Sequence, residues 1–383
     1  MYLQSVIKSR YATPATSPDR SAQLWEAGPR APGLPAGYGF RPGPGRRYPP
    51  SMALPRDDVR PEISHRYVDA RGLRVHIAEA GTGPLVLLLH GFPECWYSWR
   101  HQLVALARAG YHAVAPDQRG YARTGGPDAV GAYTMLHLVG DVIALMDGLG
   151  EPRAVVAGHD WGAPVAWHAA LLRPDRVRGV IGLSVPYLPR GSSQPIPALR
   201  SMLGDGFYMV YFQPPGVADA ELAADPRRTF TRLLYGASGD AAPGDGAAMA
   251  PVVPPGGGFL DICPEPPAVL PGWLTREDID TFVAEYGDAG FTGPLNWYRN
   301  IDRNWELTAP WHHAPVTVPA LFIAGDRDLV IAGPGLRQAL GRLREAVPRL
   351  RDPVVLPGCG HWTQQERPDE VSQAMTGFLG ELD

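Results

Sequence analysis

Residues 153–173 read Arg153-Ala-Val-Val-Ala-Gly158-His159-Asp160-Trp161-Gly162-Ala-Pro-Val-Ala-Trp-His-Ala-Ala-Leu-Leu-Arg173. Ala154 to Ala157 is a short apolar run of the kind a buried strand needs, and Ala163 onward reads as a helix. Between them Gly158-His159-Asp160-Trp161-Gly162 has the small-x-nucleophile-x-small spacing of a nucleophile elbow. The turn is sharp, so side chains at the flanking positions would strike the neighbouring strand and helix. A carboxylate at its apex, on a helix N-terminus, is favoured in its charged form by the helix dipole. A serine there would make acyl-enzymes; an aspartate instead attacks saturated carbon and leaves an ester that water can cleave. The plainer alternative is a helix-capping aspartate.

Three further segments extend the pattern. Pro84 to Leu89 is a second buried-strand run that ends in His90-Gly91-Phe92-Pro93, where an oxyanion loop belongs after a third strand. Pro319 to Ala324 leads into Gly325-Asp326-Arg327-Asp328, a strand followed by two candidate acids. Pro353 to Leu356 leads into Gly358-Cys359-Gly360-His361-Trp362-Thr363-Gln364, a histidine on a glycine-rich loop. The order nucleophile, acid, histidine, each at the end of a strand, is that of the α/β-hydrolase fold. Each piece alone has a dull reading: a satisfied histidine, a surface acid, a glycine turn.

Strands are expected at about 64–69, 73–80, 85–90, 112–116, 154–159, 178–184, 319–324 and 353–357, and helices at about 97–109, 134–149, 161–172, 335–346 and 367–380. Strand–helix alternation after residue 85 predicts a mostly parallel, doubly wound eight-stranded sheet. Asp69-Ala70-Arg71-Gly72 joins the first two strands as an antiparallel hairpin at the edge. The organisation expected is a core of residues 61–186 and 314–383 with a helical lid, 187–313, inserted over the active site.

These segments resemble the soluble epoxide hydrolases, from about Ile63 to the C-terminus. The matching stretches are His90-Gly91-Phe92-Pro93-Glu94, Asp117-Gln118-Arg119-Gly120-Tyr121, the Asp160 pentapeptide and Cys359-Gly360-His361-Trp362. The first two also look like fluoroacetate and haloalkane dehalogenases, and Asp-Trp-Gly is shared with the latter. Within the lid, Phe207-Tyr208-Met209-Val210-Tyr211-Phe212-Gln213 and Gly293-Pro294-Leu295-Asn296-Trp297-Tyr298-Arg299-Asn300 resemble the epoxide hydrolase segments that carry two tyrosines. The resemblance implies Tyr208 and Tyr298 as donors to the epoxide oxygen. Ring opening makes an alkoxide, and a phenol can hydrogen-bond and protonate it, whereas a halide needs N–H donors. A lid tyrosine taken singly is more often packing than catalysis. Tyr211, one turn from Tyr208, is the alternative inward-facing residue. The family pattern Gly-Asp-x-Asp makes Asp328 the triad acid.

The implied reaction converts an epoxide and water to a vicinal diol, a hydrolysis at an ether bond. Asp160 forms an alkyl-enzyme ester; His361, oriented by Asp328, activates a water that cleaves it; the Phe92 and Trp161 amides hold the oxyanion. Phe92, Trp161, Tyr211 and Trp362 are expected to line the substrate pocket. Neither metal nor organic cofactor is called for. The alternatives are a haloalkane or haloacid dehalogenase on the same aspartate, and an inactive ligand-binding receptor on a hydrolase scaffold.

A chain of 383 residues, 45% hydrophobic, can bury one large core and a lid. Its net charge of −4 argues against nucleic acid or anionic membrane as partner, and no stretch reaches the roughly 18 apolar residues of a transmembrane helix. Cys95, Cys263 and Cys359 form no framework and no metal spacing, which suits a reducing cytoplasm. A homodimer is left open. Lys8 is the one lysine, a coding bias without mechanistic weight. Residues 1–60 are dense in proline and glycine, carry a charge of +5, and lack an apolar pattern or a signal-peptide core. They are expected to be disordered, with Met52 an alternative start. Gly236 to Pro271 is a second loose stretch, expected as a lid loop at the pocket mouth.

Overall fold

The computed structural model describes residues 61–241, 252–287, 289–330 and 335–382. The proline-rich N-terminal segment and the middle of the Gly236–Pro271 stretch lie outside the described residues.

Eight strands form one sheet: β1 (Ser64–Ala70), β2 (Leu73–Ala80), β3 (Leu85–Leu89), β4 (His112–Pro116), β5 (Ala154–His159), β6 (Val177–Leu183), β7 (Ala320–Gly325) and β8 (Val354–Leu356). Their spatial order is β1-β2-β4-β3-β5-β6-β7-β8. β1 pairs with β2, and β2 with β4, antiparallel; every later pairing is parallel. The edge hairpin turns at Arg71 and Gly72, both at positive φ.

All residues of β3, β5 and β7 are buried. Helices cover both faces of a parallel sheet, so its central strands read as unbroken apolar runs and not as alternations. The covering helices are α1 (Arg100–Arg108), α2 (Met135–Gly148), α3 (Gly162–Leu172), α11 (Gly335–Ala346) and α13 (Pro368–Gly380), with a short α12 (Thr363–Glu366) after the histidine loop. α1 is preceded by a 3-10 turn, Trp96–Trp99, so the helix expected from residue 97 begins at Arg100.

Between β6 and β7 the chain leaves the sheet and, among the described residues, builds seven helices: α4 (Pro195–Leu203), α5 (Tyr208–Tyr211), α6 (Val217–Ala224), α7 (Pro226–Gly236), α8 (Arg276–Tyr286), α9 (Thr292–Arg299) and α10 (Ile301–Leu307). This insertion rests on the loops at the carboxyl ends of the strands. The Trp297 indole N–H donates to Arg119 O at 3.0 Å, Tyr97 Oη to Asp278 Oδ1 at 2.9 Å, and the Trp362 indole to Leu234 O at 2.7 Å. Proline and polar caps start its helices: Asp225 accepts from Arg228 N before α7, and Thr275 and Asp278 bond reciprocally before α8. Among the described residues no helix is long and apolar enough to cross a membrane.

Candidate active site

Asp160 sits between β5 and α3 with φ +47°, a left-handed conformation that costs a non-glycine residue about 1–2 kcal/mol. The glycines around it make the turn possible. A Cβ on Gly158 would come within 2.0 Å of Gly162 O, and one on Gly162 within 2.1 Å of Leu89 O. The strain lifts the carboxylate above the end of the sheet. There Oδ1 accepts the Phe92 N–H at 2.7 Å, and Oδ2 lies 3.3 Å from His361 Nε2. His361 Nδ1 in turn lies 3.1 Å from both oxygens of Asp328, which is fully buried and also accepts the Val330 N–H at 2.9 Å. Asp326, the other acid of the loop, binds Gly358 N at 2.7 Å near the surface and does not meet the histidine.

The electrostatics follow from this chain of charges. Burial would raise the Asp160 carboxyl, but the His361 hydrogen bond and charge, the His159 charge and the Phe92 amide hold it below the ordinary carboxylate range. Burial works against a charged His361, yet the carboxylates on either side lift it well above the ordinary imidazole value. His361 therefore lies between two carboxyl groups that favour its charged form.

Two tyrosines of the insertion close over this chain. Tyr298, on α9, lies edge-on to Phe92 with ring centroids 5.5 Å apart, to Trp161 at 5.1 Å and to Phe212 at 5.0 Å. Tyr208 opens α5 and stands 6.1 Å from the Tyr298 ring. Burial pushes both phenols up, and the Asp160 charge is the next cause for each. Two of the expected pocket residues are elsewhere. Tyr211 donates to Glu221 Oε2 at 2.8 Å, and Glu221 also holds the Phe259 and Leu260 amides, so Tyr211 ties the insertion together instead of facing Asp160. Trp362 packs behind His361 at 4.9 Å with its N–H spent on Leu234 O, a support for the ring and not a wall of the pocket. Of the two amides expected around the oxyanion, only that of Phe92 bonds Asp160 among the described residues. Trp161 directly follows Asp160 and stands at the N-cap of α3.

Comparison with known proteins gives the family. Residues 84–239 match the family model of the alpha/beta hydrolase fold. The chain is 48% identical to epoxide hydrolase A of Mycobacterium tuberculosis over 84% of its own length and 98% of that protein. It is 44% identical to epoxide hydrolase 3 of Siraitia grosvenorii, over 84% of this chain and 99% of that one. A solved epoxide hydrolase from an endophytic Streptomyces superposes with a TM-score of 0.80 at 48% identity, covering 84% of this chain and 96% of that one. The chain belongs to the epoxide hydrolase family. It is a hydrolase of the α/β-hydrolase fold.

In this epoxide hydrolase family member a second, fully buried charge pair lies behind the site. Glu94 Oε2 accepts from His159 Nδ1 at 2.7 Å and Gly91 N at 3.1 Å, and Oε1 accepts from Gln364 and Gln365 Nε2 at 3.0 Å each. Burial disfavours its charge, but His159 outweighs that and the carboxyl is lowered. His159 Nε2 reaches His361 O at 2.7 Å, an oxygen that Ser184 Oγ also binds at 2.7 Å. His159 thus lies between a carboxylate oxygen and a backbone carbonyl oxygen. Glu94 thus joins the oxyanion loop, the elbow and the histidine loop. Sequence reasoning placed Glu94 and His159 inside motifs without giving them work. The available signal was that polar residues this deep in a strand-end motif need partners.

Proposed function

We propose that the protein hydrolyses epoxides to vicinal diols through an alkyl-enzyme ester on Asp160. The observation that carries this reading is the Asp160–His361–Asp328 chain with Tyr208 and Tyr298 beside it, while the Trp297 and Trp362 indoles, which could have cradled a halide, donate to Arg119 O and Leu234 O. In the first step an oxygen of Asp160 attacks an epoxide carbon while the Tyr208 and Tyr298 hydroxyls hydrogen-bond the ring oxygen and protonate it as the C–O bond breaks. The insertion, residues 187–313, acts as the lid that supplies these phenols and keeps water from them.

The ester removes the Asp160 charge. One of the two carboxylates that lift His361 is then gone, so the imidazolium gives up its proton, which through solvent restores the phenolate left by ring opening, and the neutral ring becomes the base for the second step. A water deprotonated by His361 Nε2 attacks the Asp160 carbonyl carbon. The negative oxygen of the tetrahedral adduct faces the Phe92 N–H, with the Trp161 N–H as the second donor, and collapse returns the carboxylate and the diol. Epoxide and water are the partners, and Phe92 and Trp161 bound the pocket.

A single turnover in heavy-oxygen water tests the covalent path. The ester route leaves the label on Asp160 and an unlabelled diol; label in the first diol would mean direct attack by water and sink the proposal. Chloride release from a haloalkane with no diol from any epoxide would favour a dehalogenase instead.

A further inference from the structure

We propose that His90 is a positioning residue for the hydrolytic half-reaction: held in one tautomer, it aims the Phe92 amide at the Asp160 carbonyl oxygen. The proposal rests on the two-step reading above and assigns a task to two sequence motifs that reading leaves idle, His90 itself and Asp117-Gln118.

His90 ends the β3 segment and is fully buried, edge-on to Tyr121 at 4.8 Å. Its Nε2 lies 3.1 Å from Gln118 N, and its Nδ1 lies 3.0 Å from Gly91 O. A backbone N–H can only donate, so Nε2 carries the lone pair. A carbonyl oxygen can only accept, so Nδ1 carries the hydrogen. Both partners together leave a single form, the neutral Nδ1–H imidazole. The Gln118 side chain fastens the same residue by donating to His90 O.

Gly91 O and Phe92 N are the two ends of one planar peptide, and they point in opposite directions. A donor that fixes the oxygen therefore fixes the direction of the N–H, and it polarises that N–H as well. Gly91 O takes two donors, the His90 ring and the Glu94 amide at 2.9 Å. The opposite end of the peptide is the 2.7 Å bond to Asp160 Oδ1.

The consequence differs between the half-reactions. During alkylation charge leaves the Asp160 carboxylate, so a weaker Phe92 bond does not slow attack and can speed it. During ester hydrolysis charge builds on Oδ1, so the same weakening slows the step. Loss of general packing would slow both.

Rapid-mixing kinetics of the full chain with styrene oxide as probe separate the two rates. His90→Gln keeps an acceptor for Gln118 but places no donor on Gly91 O. It is expected to hydrolyse the alkyl-enzyme about tenfold more slowly, the worth of one such hydrogen bond, with alkylation unchanged or faster and more covalent enzyme at steady state. His90→Asn restores an N–H at the δ position and should recover most of the loss. Equal slowing of both steps, or no advantage of Asn over Gln, overturns the proposal. An independent check needs no loss of the ring: nitrogen NMR of the histidine-labelled wild type, with the His90 signal identified by its absence in His90→Asn. A neutral Nδ1–H ring that does not titrate near neutrality is expected; an Nε2–H ring overturns the proposal. Absence of any alkyl-enzyme in the wild type would instead refute the covalent reading itself.

Discussion

Replacing Glu94 by glutamine removes one charge and one acceptor, keeps the volume, and should destabilise the fold. Four donors converge on the carboxylate. Two of them, the Gly91 N–H and the His159 ring, share Oε2 and cannot turn round. The other two are the amides of Gln364 and Gln365 on Oε1. The glutamine would place its oxygen at the fixed donors and its NH2 against the two amides. Gln364 can flip to accept. Gln365 cannot do so freely, because its Oε1 already accepts from Arg100 Nη1 at 2.9 Å. One buried donor is left facing a donor, about 1–3 kcal/mol. The buried His159 also loses its carboxylate partner, and breaking a buried ion pair costs about 3–5 kcal/mol in all.

The sign with pH follows from linkage. The folded carboxyl of Glu94 is lowered, so its contribution is fully present above the unfolded value of about 4.3 and is lost as pH falls through the folded value. Urea denaturation at neutral pH and at a series of acidic values should show a gap of about 3–5 kcal/mol that narrows only below about pH 4.3. A gap under about 1 kcal/mol at neutral pH, or one independent of pH, would refute the pairing. Because His159 holds the His361 carbonyl, ester hydrolysis should slow in the same variant.

Other consequences can be measured directly. Asp328→Asn should cost up to about 10⁴-fold in turnover, by analogy with other histidine–aspartate pairs, while Asp326→Asn acts mainly on loop stability; the reverse ranking in kcat would reassign the acid. Tyr208→Phe and Tyr298→Phe should each slow alkyl-enzyme formation about 10²-fold, with the double variant nearly inert, whereas Tyr211→Phe should lose about 1 kcal/mol of stability and keep its chemistry. Tryptophan fluorescence in rapid mixing reads the first effect, and a Tyr211→Phe defect in alkylation would contradict the lid geometry. The pH dependence of the second step, followed on preformed alkyl-enzyme, should show rising rate through an ionisation lower than that of His361 in the free enzyme. An equal or higher midpoint would mean that Asp160 does not set the histidine.

Much of the core was legible in the sequence because burial on both faces leaves little choice of residue. β3, β5 and β7 are continuous apolar runs, and each ends in a turn whose glycines mark a close approach. Gly158 and Gly162 show this most directly, since any Cβ there would overlap backbone. The inward face of α5 was not legible. Tyr208 and Tyr211 are three residues apart on a four-residue helix, about 300° around its axis, and apolar neighbours on every side hide the period. What decides between them is Glu221, which draws Tyr211 away and belongs to another helix. Trp362 misled for the same reason, because its partner Leu234 lies 128 positions upstream. The Glu94 network is longer still, reaching Gln364 across 270 positions, and local patterning carries no trace of it.

On the two-step reading proposed above, the arrangement lets two half-reactions with opposite needs share one site. Attack on an epoxide wants an ionised Asp160 and phenols that keep their protons until the ring opens. The Asp160 charge raises Tyr208 and Tyr298 beyond what burial alone does, so neither ionises prematurely, and it raises His361 as well. Formation of the ester removes that charge from all three at once. The phenols become better acids as the alkoxide appears, and the imidazolium becomes ready to lose its proton as a base is needed. Asp328 is fully buried and bonded to the histidine and Val330 N, so His361 keeps its orientation while its proton affinity falls. On the proposed reading the nucleophile times the acid and the base through its own charge.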